Sequence, residues 1–535
     1  MRTRAVRGRT LTKVRPKLAW LLIAISPACR DSGVFGCEDD SVCVSGSVQG
    51  VCQVNGLCSF PDPACESGQR YGKHSGNLSG SCVPVDGAAD STGGEEHGGG
   101  DSSVGDAPGT ESGDGDESTG GSQVLVFTDE QYDGQFGEGQ FESISWSGDR
   151  LERARGAAFG VFTSRVFDAQ VEADWRTLQW LPVAPYGRRL PSDGGTEVYA
   201  FDAADMADNV LLMRFDGGDL SEGTAVADAS EVGSDGTVVG SGLSLGSGPF
   251  GAAVVDDGSS HVTIPVGLEP PSALSFGTSD FTFALWVRTT SSCAGNSVAA
   301  NQVYMGIEDS GPDRTFLWLG CIRPQAGACS GNAPGAGGFA GAILRSRHDD
   351  DDGAGLCGTT DIVDGQWHHL VVTKTGHPAA QVTLYLDGTD ESSDSVSFLE
   401  PLSFAQNTEF VIGALTGGVY SATASYDEVA VWRRALSAEE VAALYRRGAL
   451  RLELQVRVCD EPGCADAPAF VGPHADAAAR YVDDGASPIG SNPVQLGPLP
   501  AGRYFQYRAR FEADGELVET ALGPALRSVT VEALR

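Results

Sequence analysis

Positive charge and methionine are both scarce in this chain of 535 residues. Its 36 Lys and Arg residues stand against 72 Asp and Glu residues, so the net charge is -36. A field of that sign repels nucleic acid and anionic membrane surfaces, and neither is expected as a direct partner. Methionine occurs 4 times, whereas glycine occurs 72 times and proline 26 times. The apolar segments are short and repeat every second residue, which predicts an all-β protein and not a helical one.

The apolar run at the N-terminus is too short to cross a bilayer. Seven basic residues precede it, and it covers only residues 18–25, whereas a spanning helix needs roughly 20 apolar residues. This pattern predicts a secretory signal peptide over residues 1–28, and therefore an exported protein. The string Ser26-Pro27-Ala28-Cys29 resembles a bacterial lipobox, in which the cysteine is lipidated and becomes the mature N-terminus. An ordinary signal-peptidase site at the same bond is the alternative, because Ser26 and Ala28 would serve it equally well.

The 13 cysteines fall into even groups once Cys29 is set aside. Six lie in residues 29–82, four lie between positions 293 and 357, and the last two are Cys459 and Cys464. Even groups are typical of disulfides in an exported protein, and one extra cysteine at the lipobox is what lipidation requires. Residues 29–82 are predicted to form a small Cys-rich module, whose pairing the sequence leaves open. Cys459 and Cys464 flank the turn sequence D-E-P-G and are predicted to form a disulfide.

Residues 83–122 form an acidic stretch that is rich in glycine and serine. The stretch holds ten acidic residues and no Lys, Arg or aromatic residue. Such a segment cannot bury enough apolar surface to offset the chain entropy that folding removes. We therefore predict a disordered, self-repelling linker that holds the following residues away from the cell surface.

Residues 364–445 contain three strand signals in succession and then a capped helix. Alternating apolar residues predict strands in WHHLVVTKT, VTLYL and YDEVAVW. After the second of these, Asp387-Gly388 is the dipeptide that supplies the positive φ of a tight hairpin. Ser437 is predicted to cap the helix in a capping box with Glu440, and Gly448 is predicted to end it.

This order of strand, hairpin, strand and helix resembles the C-terminal half of LamG-like jellyroll domains, which have the concanavalin A-like lectin and glucanase fold. The front half fits as well, in VLLMRF, PFGAAVVDDGSSHVTIP and FTFALWVRTT. The resemblance covers residues 208–448 and implies a jellyroll sandwich there. It also implies a structural Ca²⁺ ion held by Asp228 and Asp427, since LamG-like domains often place calcium with aspartates of these two motifs. Hydrogen bonding within turns and hairpins is the alternative role for both aspartates.

The segments on either side of the jellyroll each hold too few strands for a core of their own. A few strands alone leave one face unburied and both edges open, whereas residues 123–207 and 449–535 together reach about seven or eight strands, as in a β-sandwich. The two segments also resemble one continuous sandwich module that is repeated in bacterial surface proteins. We therefore predict that the jellyroll is inserted into a second β-sandwich, entering after Pro191 and leaving near Ala449.

Residues for catalysis are not evident in the jellyroll sequence. The paired-carboxylate strand E-x-D-x-x-E of its glucanase relatives does not occur. The G-x-S-x-G match at residues 242–246 lies in a Gly/Ser loop, without the strand-turn-helix context of a nucleophile. His368 and His369 are adjacent on a strand and point to opposite faces, which excludes a shared ligand role. The acidic run at residues 348–353 either offers oxygens to calcium or forms a solvated loop.

The sequence therefore predicts a non-catalytic cell-surface or secreted protein that binds or adheres through its LamG-like jellyroll. The expected partner is an extracellular glycan or a surface protein, and membrane contact is expected only through the lipid anchor. The alternative is an extracellular carbohydrate-active enzyme, a glycoside hydrolase or lyase, whose catalytic carboxylates converge only in three dimensions. Binding is favoured because neither a paired-carboxylate motif nor a nucleophile in context is present.

We predict that the mature protein begins at Cys29 and carries lipid on that residue. Mass spectrometry of the mature N-terminal peptide measures this directly. A Cys29→Ala variant should appear in the soluble fraction, because the lipid chains supply the membrane affinity. An unmodified Cys29, or cleavage at another bond, would contradict the prediction.

Overall fold

The computed structural model divides the chain into two compact units, Met1–Gly115 and Asp116–Arg535. In the first unit it describes residues 43–45, 48–53, 58–61, 65, 67, 69–71 and 83. In the second it describes residues 123–535 except 193–196, 198, 200, 267–272, 296, 310–313, 325–328, 330–336, 348–351, 405–407 and 484–492. The predicted signal peptide, the lipidation site Cys29 and the acidic linker lie outside the described residues.

The first unit contains two small antiparallel sheets among its described residues. Their strands are β1 (Val44–Ser45), β2 (Val48–Gln49), β3 (Val51–Cys52), β4 (Cys58–Pro61) and β5 (Gln69–Tyr71). Strand β1 pairs with β2, and β4 lies between β3 and β5. A disulfide joins Cys43 to Cys58, as suits a small module with little apolar core.

The second unit consists almost entirely of strands. It opens with β6 (Val124–Asp129), β7 (Gln140–Glu142), β8 (Ile144–Ser147), β9 (Arg150–Arg153), β10 (Phe159–Thr163) and β11 (Phe167–Pro182). There follow β12 (Asn209–Met213), β13 (Ala225–Val226), β14 (Gly236–Val239), β15 (Leu243–Gly248), β16 (Gly251–Asp257), β17 (His261–Pro265), β18 (Phe281–Arg288), β19 (Gln302–Glu308), β20 (Phe316–Ile322), β21 (Phe339–Arg345), β22 (Ala354–Asp361), β23 (Trp367–Thr375), β24 (Ala379–Leu386), β25 (Thr389–Ser397), β26 (Glu409–Ile412) and β27 (Thr423–Trp432). It ends with α1 (Ala438–Ala449), β28 (Leu450–Cys459), β29 (Val494–Gln495), β30 (Gly502–Ala513) and β31 (Ala525–Leu534). None of the helices described is long and apolar enough to span a membrane.

Strands β12 to β27 form a jellyroll of two facing antiparallel sheets. The first has the order β15-β16-β27-β18-β23-β24-β25, with β12 paired to β27, and the second has the order β13-β14-β17-β26-β19-β20-β21-β22. Apolar side chains of both sheets fill the space between them, and the rings of Phe283 and Phe410 meet edge to face at 5.5 Å. The predicted all-β protein with several antiparallel sheets is thus confirmed. The hairpin at Asp387-Gly388 has positive φ at both residues, 51° and 78°, as its sequence requires.

Helix α1 covers the outer face of the first jellyroll sheet. The predicted capping box is present: the Glu440 amide donates to Ser437 Oγ at 3.3 Å, and the Ser437 amide donates to Glu440 Oε2 at 2.7 Å. Val441 and Leu444 of the helix pack against Trp432 of the sheet. The apolar stripe of this helix therefore closes the sheet from outside.

Gly448 does not end this helix, contrary to the prediction, because α1 continues through Ala449. A Cβ atom at position 448 would lie 2.4 Å from Cζ2 of Trp286 and 3.0 Å from Cζ of Phe250. Glycine is required here because the helix lies directly against these rings. The chain then passes from the helix into β28 without a left-handed cap residue.

Strands from both ends of the second unit share one ten-stranded sheet system. Strand β11 pairs with β30 over its first half and with β31 over its second half, and β30 also pairs with β10 and β28. The partner changes at an irregularity where Gln170 has a φ of 67°. Residues 124–182 and 450–534 therefore pair with each other, on either side of the jellyroll in sequence. The boundaries of the insertion, after Pro191 and near Ala449, stay predictions.

Four disulfides join pairs of described cysteines, one of them in the first unit. In the second unit they are Cys293–Cys321, Cys329–Cys357 and Cys459–Cys464. Because such bonds persist in oxidising compartments, they indicate an exported protein.

We predict that Phe505→Ala will destabilise the second unit by about 3–5 kcal/mol, the usual cost of removing a fully buried ring. Phe505 on β30 is 0% exposed and stacks on Trp175 of β11 at 4.7 Å, so it joins strands from both ends of the unit. Urea unfolding followed by tryptophan fluorescence measures the change.

Phe201→Ala is the matched control, because this phenylalanine is 54% exposed and should cost little. Equal loss of stability in the two variants would show that β11 and β30 do not share a core.

Candidate functional site

Asp228 lies in the turn that follows β13 and fastens it to β12. Its Oδ1 accepts hydrogen bonds from the amides of Leu212 at 2.8 Å and Ser230 at 2.9 Å. Its Oδ2 accepts from Ser230 Oγ and from the amide of Ser234, both at 2.8 Å. The carboxylate thus serves as a hydrogen-bond acceptor for the turn, which is the alternative role that the sequence allowed.

Asp427 lies on β27 and is fully buried. Its Oδ2 accepts a hydrogen bond from the amide of Phe250 at 3.2 Å, and its Oδ1 has no partner among the described residues. Burial, and next the charge of the adjacent Glu428, raise the pKa of Asp427 well above its usual range. The fold therefore favours the neutral form of this acid.

Calcium binding requires several oxygen ligands at one point. No group of three or more His, Cys, Asp or Glu side chains in the described part of the chain could hold a metal ion. Asp228 already uses both oxygens, and calcium prefers six to eight oxygen ligands. Calcium binding by Asp228 and Asp427 accordingly stays a prediction. Of the acidic run at residues 348–353, Asp352 is described and accepts hydrogen bonds from the amides of Ser346, Arg347 and Leu399.

Glu428, next to Asp427, occupies an unusual backbone conformation. Its φ of 46° is rare for a residue other than glycine, and it coincides with a register shift between β18 and β27. Its Oε2 accepts a long hydrogen bond from the amide of Leu190 at 3.4 Å. Burial raises the pKa of Glu428 to about 7, although the charges of Arg214 and Arg447 oppose the shift.

Glu428 lines a small cavity of about 10 Å³ between the sheet and helix α1. Trp286, His369, Trp432 and Arg447 also line it. Burial lowers the pKa of His369 to about 3, so the ring is neutral at physiological pH. A cavity of this volume has room for about one water molecule, and no saccharide could enter it.

His368 faces away from this cavity, as alternation along a strand requires. Its Nδ1 lies 2.8 Å from Asp387 Oδ2, and its Nε2 lies 3.2 Å from Asp364 Oδ1. Burial favours the neutral ring, but the hydrogen bond and charge of Asp387, with those of Asp364, raise the pKa of His368. The histidine thus holds the hairpin at Asp387 against the start of β23.

A second buried acid, Asp256, lies at one end of the jellyroll core. Its Oδ1 accepts a hydrogen bond from the amide of Gly258 at 2.8 Å. Its Oδ2, like the hydroxyls of Tyr304 and Tyr426, has no partner among the described residues. Burial raises the pKa of Asp256 to about 7. This acid, too, is enclosed by protein and is 1% exposed.

Sequence reasoning identified Asp427 but missed Glu428 and Asp256. A signal for the first was present, since Asp427-Glu428 interrupts a strand whose other residues are almost all apolar. Asp256 carried a weaker signal, because Asp256-Asp257 precedes a glycine and is typical of an exposed turn. The structure assigns the exposed position to Asp257 and the buried one to Asp256.

Comparison with known proteins identifies the jellyroll. Residues 256–442 match the Laminin_G_3 family model, described as the concanavalin A-like lectin/glucanases superfamily. This part of the chain is a concanavalin A-like lectin/glucanase (LamG-like) domain, as the sequence resemblance predicted. No curated protein matches the chain at a significant level.

Several solved structures share parts of this architecture at low identity. Domain 4 of AbnA, a GH43 extracellular arabinanase from Geobacillus stearothermophilus solved with arabinotriose, is 18% identical over 44% of this chain and 98% of its own, with a TM-score of 0.30. The receptor binding domain of botulinum neurotoxin D is 14% identical over 48% of this chain and 55% of its own, with a TM-score of 0.31. The binding domain of Paraclostridial Mosquitocidal Protein 1 is 13% identical over 55% of this chain and 73% of its own, with a TM-score of 0.28. This chain thus spans about half of the neurotoxin structure. Likenesses of this size say nothing about what the chain binds.

We predict that Asp256→Asn removes one pH-dependent contribution to stability. The pKa of Asp256 is raised to about 7 on folding, so the stability that its neutral form contributes is complete below about pH 4 and is lost as pH rises through 7. Between pH 5 and pH 8 the variant should gain about 3 kcal/mol relative to the wild type, because about two pH units separate pH 5 from the raised pKa. Urea unfolding at a series of pH values measures this difference.

Asp257→Asn is the matched control for this experiment. Asp257 is exposed, and hydrogen bonds from Ser259 lower its pKa. Its replacement should therefore leave the stability profile above pH 5 unchanged. Parallel profiles for wild type and Asp256→Asn would refute the burial of a protonated acid.

Proposed function

We propose that this protein is a non-catalytic, exported binding or adhesion protein that recognises a glycan or protein ligand through its LamG-like jellyroll. One observation carries the proposal. Three of the described jellyroll carboxyls with a raised pKa, Asp256, Asp427 and Glu428, are enclosed in the interior. A fourth, Asp216, is held in an ion pair with Arg189 at 3.1 Å.

The enclosure of these acids favours binding over hydrolysis. A glycoside hydrolase needs a protonated carboxyl within reach of the scissile oxygen and a second carboxylate on the other side of the sugar. Asp427 and Glu428 have the raised pKa values of such acids, but the adjoining cavity has room for about one water molecule. Burial, together with the charge of Glu428 beside Asp427, explains both raised pKa values without a catalytic role.

The alternative is a carbohydrate-active enzyme whose carboxylates converge from distant segments. Inverting enzymes separate the two groups by about 6.5–9.5 Å, a spacing that no local sequence motif need encode. Turnover measurements distinguish this alternative from the binding function.

The proposed function also assigns a partner, a membrane anchor and a spacer. An extracellular glycan or surface protein is the proposed partner, Cys29 is the proposed lipid anchor, and the acidic linker is the proposed spacer. Nucleic acid is not proposed as a partner, because the net charge of -36 repels a polyphosphate. Calcium at Asp228 and Asp427 stays a separate prediction, and thermal unfolding in calcium and in chelator would measure it.

We predict that the purified full-length chain binds a subset of glycans on an array and releases no reducing sugar from the corresponding polysaccharides. The physical reason is that its protonated carboxyls are inaccessible to substrate. An Asp427→Asn, Glu428→Gln double variant is the control, and it should bind the same glycans. Turnover by the wild type that is lost in the double variant would overturn the non-catalytic assignment, and an array without any binding would overturn glycan recognition.

A further inference from the structure

Arginines are concentrated on the outer face of the sheet that contains β28 and β30. In both strands apolar residues alternate with polar ones, so every second side chain faces out. The register places Gln455 opposite Arg508 and Glu453 opposite Arg510. The segment along the edge of β28 adds Arg480 to the same face.

These side chains line a groove of about 90 Å³. Its walls are formed by Val161, Glu453, Gln455, Arg480, Arg508 and Arg510. The residues come from three strands and one edge segment, so the groove exists only in the folded sheet. With three guanidinium groups and one carboxylate, its lining is positive in a chain whose net charge is -36.

Aromatic rings hold the guanidinium groups in place. Arg508 lies over the ring of Phe470 at 4.6 Å, and Arg457 lies over the same ring at 4.5 Å. Arg510 lies over the ring of Phe159 at 4.5 Å. A guanidinium stacked on an aromatic ring is held in one orientation and loses less side-chain entropy when it binds a ligand.

The positive charge of this groove is only partly compensated within the protein. Arg508 and Arg457 form no ion pair with a described carboxylate, and Arg508 instead donates a hydrogen bond to Gln455 Oε1. Arg480 lies 3.9 Å from Glu453, a long ion pair, whereas Arg510 pairs closely with Glu512. Burial, and then the charges of neighbouring arginines, lower the pKa of Arg508, which means that an anion bound here would relieve repulsion.

We propose that the groove binds a single carboxylate or sulfate group carried by an otherwise neutral polysaccharide. A groove of about 90 Å³ has room for several water molecules, which suits one anionic substituent. Guanidinium forks bind planar or tetrahedral oxyanions with two parallel hydrogen bonds. A densely charged polyanion is disfavoured, because the rest of the chain repels it. This proposal extends the proposed binding function. It rests on that function for the choice of a saccharide as the ligand, whereas the anion site itself is argued from the groove.

The test compares two ligands that differ in one group. Calorimetric titration of the full-length chain uses a glucuronate-bearing oligosaccharide and the same oligosaccharide with its carboxylate reduced to an alcohol. The acidic ligand should bind at least about tenfold more tightly, as expected for a charge-assisted hydrogen-bonded pair. Arg508→Gln should reduce that affinity by a similar factor, because it removes the charge and retains a shorter polar side chain.

Arg503→Gln is the matched control, since Arg503 lies on the same strand β30 but pairs with Asp168 at 2.6 Å, outside the groove. It should bind the acidic ligand as the wild type does. Thermal unfolding of both variants checks that they remain folded.

Several outcomes would overturn the proposal. Equal affinity of the wild type and Arg508→Gln would place the anion elsewhere, and binding of inorganic sulfate without the oligosaccharide would make the groove a free-anion site. Tighter binding of a poly-glutamate peptide would assign it to an acidic protein. Neutral glycans on the array test the jellyroll independently of the groove. If the wild type and Arg508→Gln bind these glycans equally but also bind the acidic ligand equally, the proposed function is upheld and the groove proposal is overturned. If the chain bound the acidic oligosaccharide but no neutral glycan, the groove would be upheld and glycan binding by the jellyroll would be overturned.

Discussion

Burial of strand β27 on both faces is the constraint on which the jellyroll and its surroundings depend. Val429 and Val431 point into the space between the two sheets, whereas Ala430 and Trp432 point outward beneath helix α1. An ordinary antiparallel sheet leaves one face to water, and its strands alternate apolar and polar residues. Here nearly every residue of β27 is buried, so the helix must cover the sheet for the strand to be stable. The centre of this sheet is therefore closed to a ligand.

Burial of β27 also explains why a charged Asp427 or Glu428 would be unfavourable and what offsets that cost. A charged carboxylate in such a strand would lose its hydration, so Asp427 and Glu428 are kept neutral or lie near arginines. Arg447 at the end of α1 contacts the segment that precedes the jellyroll. Its guanidinium is almost fully buried, bonds Glu197 Oε2 at 2.8 Å and donates to the carbonyl of Arg189 at 2.9 Å. The helix end is thereby fastened to the chain segment that leads into the jellyroll.

Local features of this fold could be predicted from the sequence, because they depend on a few neighbouring residues. The Asp387-Gly388 hairpin and the Ser437 capping box need only the right backbone preference and one hydrogen bond each. Gly448 was misread for the opposite reason: its role is set by Trp286 and Phe250, which are distant in sequence. The exchange of strand partners along β11, the burial of Glu428 and the convergence of Arg480 with Arg508 depend in the same way on the folded sheet. Alternation in YRARFEA places its two arginines on one face of a strand, but the sequence could not show which residues faced them.

In the second unit the buried carboxyls affect stability, whereas the arginines of the proposed groove lie where a ligand could reach them. Carboxyls enclosed in the jellyroll contribute little to the external field when protonated, whereas arginines on β28 and β30 lie at the surface with their charge only partly neutralised. Across distances beyond about 10 Å at ordinary salt, the acidic surface is screened and the field of the groove acts only locally. Within that range a ligand is repelled through each of its negative charges but, in the proposed binding mode, is attracted only through the one group that enters the groove. The proposed groove would therefore select a sparsely charged ligand over a dense polyanion, although both carry the same anionic group.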